Sequence, residues 1–178
     1  QGVELLTANG HQVVIETNAG LNASYTDAYF SEAGAKIASD KKEVFKCDII
    51  LKISPPTAEE IELLKPDQLL ISLFFPYIQT RDSVQQLLDK RINAIGFEYL
   101  RDEHNCLPIV RSMSEIEGTT AVMVAAEYMS KAHNGKGVML GGVTGITPTE
   151  IVILGASTAG EYAAKAAIGL GATVKVFD

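Results

Sequence analysis

Short β-branched or apolar runs separated by helical stretches of about ten residues recur along this chain, and that alternation restricts its fold more than any other feature. Val3 to Ala8 reads as a short helix closed by Asn9-Gly10, and the β-branched run Gln12-Val13-Val14-Ile15-Glu16-Thr17 follows it. Asp27 opens a helix that ends near Gly34, and Ala35 to Ala38 reads as a short strand. Asp48-Ile49-Ile50-Leu51-Lys52-Ile53 is almost continuously apolar, which predicts a strand buried on both faces of a parallel sheet. Pro55-Pro56 stops it. Thr57-Ala58-Glu59-Glu60 is then a capping box, in which a hydroxyl and a carboxylate satisfy two free N–H groups at a helix start. Leu69 to Phe74, Thr80 to Lys90 and Ile92 to Phe97 repeat strand, helix and strand. The expected fold class is α/β, with right-handed βαβ crossovers and a parallel sheet. Ligands of such sheets sit beyond the carboxyl ends of the strands, which places Ser54, Phe75 and Glu98 at the positions to watch.

Glu98 to Ser112 reads as a loop, and Ser114 to about His133 as a helix long enough to connect two domains. Ser114-Glu115-Ile116-Glu117 is a second capping box, at the expected start of that helix. Asn134-Gly135-Lys136-Gly137 ends it, and the glycine-rich stretch from Gly141 to Pro148 reads as a linker.

The last third of the chain carries the most specific motif. Glu150-Ile151-Val152-Ile153-Leu154 is a strand, Gly155-Ala156-Ser157-Thr158-Ala159-Gly160 follows directly, and Tyr162 to Leu170 is an alanine-rich helix. Thr173 to Phe177 is the next strand, and Asp178 lies 23 residues after Gly155, near the spacing of a ribose-binding carboxylate. A first glycine allows the sharp turn, and the helix N-terminus offers free N–H groups and a positive dipole end to a diphosphate. A late glycine permits close packing, and the acid accepts from ribose hydroxyls, favouring NAD over a nucleotide with a 2′-phosphate. Ser157 departs from the pattern where the backbone must approach the diphosphate: a Cβ there holds the ligand away unless the hydroxyl donates to a phosphate oxygen. The competing reading is an ordinary βα turn built from small residues. The expected cofactor-binding set is Gly155, Ser157, Thr158, Ala159, Gly160 and Asp178.

A net charge of -7 argues against a nucleic-acid surface or an anionic membrane as partner. Cys47 and Cys106 lack metal-ligand spacing, so no metal is expected, and they read as free thiols in a reducing cytoplasm. No apolar run approaches the roughly 18 residues of a membrane span, so no direct membrane insertion is expected. The ends read as cuts within a longer protein.

At this point the chain resembles the alanine dehydrogenase and nicotinamide nucleotide transhydrogenase family over essentially its whole length. The matching stretches are Gly10 to Glu16 with Ala19-Gly20, Ala33-Gly34-Ala35, Ile49 to Pro56, Met113 to Gly118, Leu140 to Val143 and the terminal glycine-rich turn. The resemblance implies a substrate domain over 1-113 that lacks its first strand. It implies the connector helix and first βαβ unit of an NAD-binding Rossmann-type domain over 114-178. It adds Ser114 to the cofactor contacts and implies a homo-oligomer, dimer or hexamer, acting on a small amino acid or 2-oxo acid. Members of the dehydrogenase branch carry a substrate-binding lysine two residues after the position of Lys52, where this chain has Ser54. Their acid–base histidine falls at Phe75 or Pro76, and a third residue, an arginine, would precede Gln1. His11, His104 and His133 match no family position, and solvated or helix-end roles are expected for them. The candidate catalytic groups that remain are Glu98, matching a carboxylate near the dehydrogenase active site, and Lys52, for which pairing with an acid is the competing role. Three functions stay open: an alanine dehydrogenase diverged at its catalytic positions, the NAD(H)-binding subunit of a transhydrogenase, and a nucleotide-binding module without catalysis.

Overall fold

The computed structural model describes residues 1–75 and 79–178, and the chain divides into two compact units, Gln1–Glu98 and Tyr99–Asp178. Both are α/β with parallel strand pairing.

The first unit runs α1 (Gly2–Ala8), β1 (Val14–Glu16), α2 (Asp27–Glu32), β2 (Lys36–Ala38), α3 (Lys41–Val44), β3 (Ile49–Leu51), α4 (Ala58–Leu63), β4 (Leu69–Ser72), α5 (Arg81–Asp89) and β5 (Asn93–Gly96). β1 pairs with β2, and β3, β4 and β5 form a second sheet in chain order. The elements follow the expected periodicity with strands shortened at their ends. α3 has no counterpart in the sequence reading; its N-cap Asp40 accepts from the Lys42 amide at 2.9 Å.

The core of this unit is Phe45, Ile50, Ile61, Leu64, Leu70 and Leu87, which packs α4 and α5 over one face of the β3–β4–β5 sheet. β3 corrects the expectation of a strand buried on both faces. Ile50 is buried, whereas Ile49, Leu51 and Ile53 are exposed, because helices cover one side of the sheet only. At the amino ends of the strands, buried Gln68 donates to the carbonyl of Phe45 at 3.0 Å and to that of Cys47. Its own Oε1 accepts from the Lys65 amide at 2.8 Å, so one side chain ties the α3 exit to the entry of β4.

The second unit holds α6 (Pro108–Met129), β6 (Glu150–Leu154), α7 (Thr158–Gly169) and β7 (Thr173–Phe177). α6 begins six residues before the expected capping box. Pro108, with its fixed φ and missing N–H, occupies the first helical position after Leu107, so Ser114 lies inside the helix and caps nothing. The helix ends at Met129; Ser130 turns extended and caps a single 3₁₀ turn that closes at Asn134 in a left-handed conformation. β6 and β7 pair in parallel from Glu150↔Thr173 to Leu154↔Phe177. α7 covers Ile151, Ile153 and Val174, and Val122, Leu140, Ala163 and Ala167 form the buried centre. Val152, Leu154 and Phe177 on the other side of the two-stranded sheet are exposed. No helix among the described residues is long and apolar enough to cross a membrane.

Candidate functional site

Each unit carries one region of interest. In the second, β6 delivers the chain into Gly155, whose φ of +105° belongs to the left-handed region that glycine enters at no steric cost. The Gly155 amide donates to the Phe177 carbonyl at 2.7 Å, holding the turn against the end of β7. Ser157 is the N-cap of α7, but its side chain makes no cap hydrogen bond. The first amides of that helix have no partner within it, and the Ser157 hydroxyl stands beside them uncommitted to the cap. Gly160 is buried, and a Cβ on it would run into the Gly155 carbonyl oxygen, while Ile153 would be at ordinary contact distance, 3.6 Å. The late glycine is therefore needed by the turn more than by the strand. Asp178 accepts from the Ala156 amide at 3.2 Å, which places the carboxylate at the rim of the same turn. An open groove of about 370 Å³ begins at Ala156 and Gly160 and runs along α7 past Ala164 and Ile168 to Val176.

These features fit a dinucleotide diphosphate: a glycine-bounded bend, unpaired helix amides, a free hydroxyl and an acid at ribose distance in sequence. The structure brings Gly155, Ser157, Thr158, Ala159, Gly160 and Asp178 into one turn. Ser114 is half-buried within α6, and a close approach anchors that helix one turn further on. There Gly118 lies so near the Ala159 carbonyl oxygen and the Ala163 amide that a Cβ would overlap both. Gly118 thus seats α6 on the first turn of α7, a role its place in the chain did not reveal.

In the first unit, the carboxyl ends of β3, β4 and β5 lead to Ser54, Phe75 and Glu98. Ser54 is exposed and Phe75 half-buried, and Pro76 lies outside the described residues. Glu98 sits in a single 3₁₀ turn, Phe97–Tyr99, directly after β5, and is 3% exposed. Its Oε1 accepts from the amides of Phe74 at 2.8 Å and Phe75 at 2.7 Å, pinning the exit of β4. Its Oε2 is buried without a hydrogen-bond partner among the described residues. Lys52 has a different setting. Its Nζ donates to Glu60 and, at 3.3 Å, to the Pro55 carbonyl, and Lys41 reaches the other oxygen of Glu60 at 3.3 Å. Burial raises the Glu60 carboxyl, but hydrogen bonds from Lys52 and the Thr57 amide, the Lys52 charge and Lys41 outweigh it, leaving the group below the ordinary carboxylate range. Glu60 also completes the expected capping box with Thr57, so Lys52 is committed to holding β3 against α4. Among the described residues no three His, Cys, Asp or Glu side chains gather where a metal could be held. Cys47 and Cys106 are free thiols.

The family described as alanine dehydrogenase/PNT matches through its N-terminal domain over residues 1–117 and its C-terminal domain over residues 121–178. The chain belongs to the alanine dehydrogenase/PNT family. The alanine dehydrogenase of Methanococcus maripaludis is 41% identical over 99% of this chain and 48% of its own length. That of Mycobacterium tuberculosis is 38% identical with the same coverage, 99% and 48%. A solved L-alanine dehydrogenase superposes with a TM-score of 0.90 and 36% identity, covering 99% of this chain and 48% of its own. A transhydrogenase from Sinorhizobium meliloti superposes with a TM-score of 0.84 and 25% identity over 99% of this chain and 52% of its own. The chain thus spans about half the length of the relatives it matches.

Proposed function

We propose that this chain is part of an NAD-dependent oxidoreductase of the alanine dehydrogenase type, catalysing the reversible oxidative deamination of a small amino acid to its 2-oxo acid. The observation that carries the reading is the turn from Gly155 to Gly160, with Asp178 bonded at its rim, in a chain 41% identical to an alanine dehydrogenase. When bound, NAD supplies the hydride acceptor. In this reading the free amides at Ser157, Thr158, Ala159 and Gly160 receive the diphosphate, with the Ser157 hydroxyl donating beside them. Asp178, at the rim of the turn, would hold the ribose hydroxyls, and Ser114 on α6 would add a polar contact. Residues 1-113 form the substrate domain and 114-178 the connector and first half of the nucleotide domain. The protein is cytoplasmic and homo-oligomeric.

Substrate handling departs from the dehydrogenase pattern. Oxidising an amino acid needs a cation for the carboxylate and a group that takes up a proton. Ser54 and Phe75 supply neither, and Lys52 is tied to Glu60. Among the described residues at the β4 and β5 ends, Glu98 is an ionisable group that remains, held by two backbone amides. The test is NAD reduction by the intact protein across small amino acids. Turnover with alanine or a close analogue is expected; NAD binding without turnover on any amino acid would defeat the reading.

A second reading, the NAD(H)-binding subunit of a transhydrogenase, is favoured by Ser54 and Phe75 and by the 0.84 superposition on a transhydrogenase. Hydride exchange between two nucleotides that requires a membrane partner would select it. The third reading, a nucleotide-binding module without catalysis, rests on the same absent lysine and histidine. It predicts activity only after lysine is restored at position 54 and histidine at 75 or 76.

A further inference from the structure

Glu98 is a costly way to hold two amides. Its Oε1 accepts both N–H groups at the β4 exit, and its Oε2 is buried with no partner among the described residues. A buried carboxylate with an unused oxygen carries the desolvation cost of the charge and of the unpaired acceptor together. Glutamine has a carbonyl in the same place and would accept the same two N–H groups without a charge. What the carboxylate adds is its negative field, at the carboxyl end of β5 beside that of β4, where open α/β sheets receive ligands. In a site of low effective dielectric a charge acts over several ångströms without contact, so burial of Oε2 does not silence it. The cations nearest in chain order bond elsewhere: Arg101 donates to the Asn105 carbonyl, Arg91 pairs with Asp67, and Lys90 donates to the carbonyls at the end of α4.

We propose that Glu98 is a positioning and specificity-determining residue, which fixes the Phe74–Phe75 backbone and, through its charge, favours a ligand bearing an ammonium group at the β4–β5 edge. This rests on the amino-acid dehydrogenase reading above and deepens it. The cation-binding position of that site is Ser54 here and the histidine position Phe75 or Pro76, and the Glu98 carboxylate is the charged group described at the β4–β5 strand ends.

The experiment compares alanine with propionate, which differs by the missing ammonium, in calorimetric titrations of the intact protein saturated with NADH so that neither turns over. In Glu98→Gln, alanine affinity is expected to fall about tenfold or more, propionate affinity to stay within about twofold, and the melting temperature to hold or rise. Glu98→Ala, which also frees the two amides, is expected to lower both affinities and the melting temperature. Equal changes for alanine and propionate in Glu98→Gln, or a collapse of its melting temperature, would overturn the proposal, since the residue would then be an anchor only. Wild-type protein that binds NADH but neither alanine nor any other small amino acid would remove the dehydrogenase reading itself.

Discussion

Gly160, Asp178 and Glu60 were each visible in the chain through their spacing from another residue. Gly160 and Asp178 stand at the spacings from Gly155 that the sequence reading expects of a dinucleotide-binding turn, and the structure puts a backbone oxygen where a Cβ at 160 would lie. Glu60 stands three residues after Thr57, as a capping box needs, but its ion pairs with Lys52 and Lys41 come from other elements and leave no trace in spacing. Those pairs make a pH prediction. The folded-state carboxyl sits below its ordinary value, so its stabilising contribution is complete above about pH 4.3 and is lost as pH falls through the folded-state value. Glu60→Gln should therefore melt well below wild type near neutral pH, and the gap should close on acidification. Thermal melts between about pH 7 and 3 check this; a gap of constant size across that range would show that the charge is not what stabilises. Glu98 was recognisable as a strand-end carboxylate. Its partners, the amides of Phe74 and Phe75, are 24 and 23 residues away and were not.

Among the elements, α4 owes its C-terminus to a side chain from elsewhere. Lys90 donates through Nζ to the carbonyls of Ile61 at 2.7 Å, Glu62 at 2.7 Å and Leu64 at 2.9 Å, satisfying acceptors that a helix end leaves open. Lys90→Met keeps the aliphatic stem and removes the donors. It should cost about 1–2 kcal/mol, read as a lower urea midpoint with unchanged slope; an unchanged midpoint would mean that water serves those carbonyls equally well. Helix starts show the limits of local reading. The Thr57 capping box and the Thr80 cap begin helices where expected, with the Thr80 hydroxyl accepting from the Ser83 amide at 3.2 Å. The box at Ser114 does not, because Pro108 had already started α6 and the intervening residues are compatible with its continuation. A capping motif states a preference, and the earlier start at Pro108 overrides it.

For the whole molecule, the exposed apolar sides of β3 and of the β6–β7 pair matter most: Ile49, Leu51 and Ile53 on one, Val152, Leu154 and Phe177 on the other. A doubly wound dinucleotide fold covers both faces of its sheet and builds the cofactor site from two βαβαβ halves, whereas one βαβ unit is present in the second unit. The 178-residue chain should accordingly bind NAD far more weakly than the full-length alanine dehydrogenases it resembles, which are about twice as long. Calorimetric titration of this chain beside the Methanococcus maripaludis enzyme measures the difference, and equal affinities would refute it.

The α/β class, the parallel pairing and the glycine-bounded turn between β6 and α7 could be derived from the chain alone, because period, turn chemistry and caps are local properties that adjacent residues specify. Burial on one face of β3, the true start of α6, the fit of Gly118 on α7 and the bonds of the Glu98 carboxylate to the amides of Phe74 and Phe75 emerged only in three dimensions. Each depends on which distant backbone or side chain arrives beside the residue, and a linear pattern does not encode that.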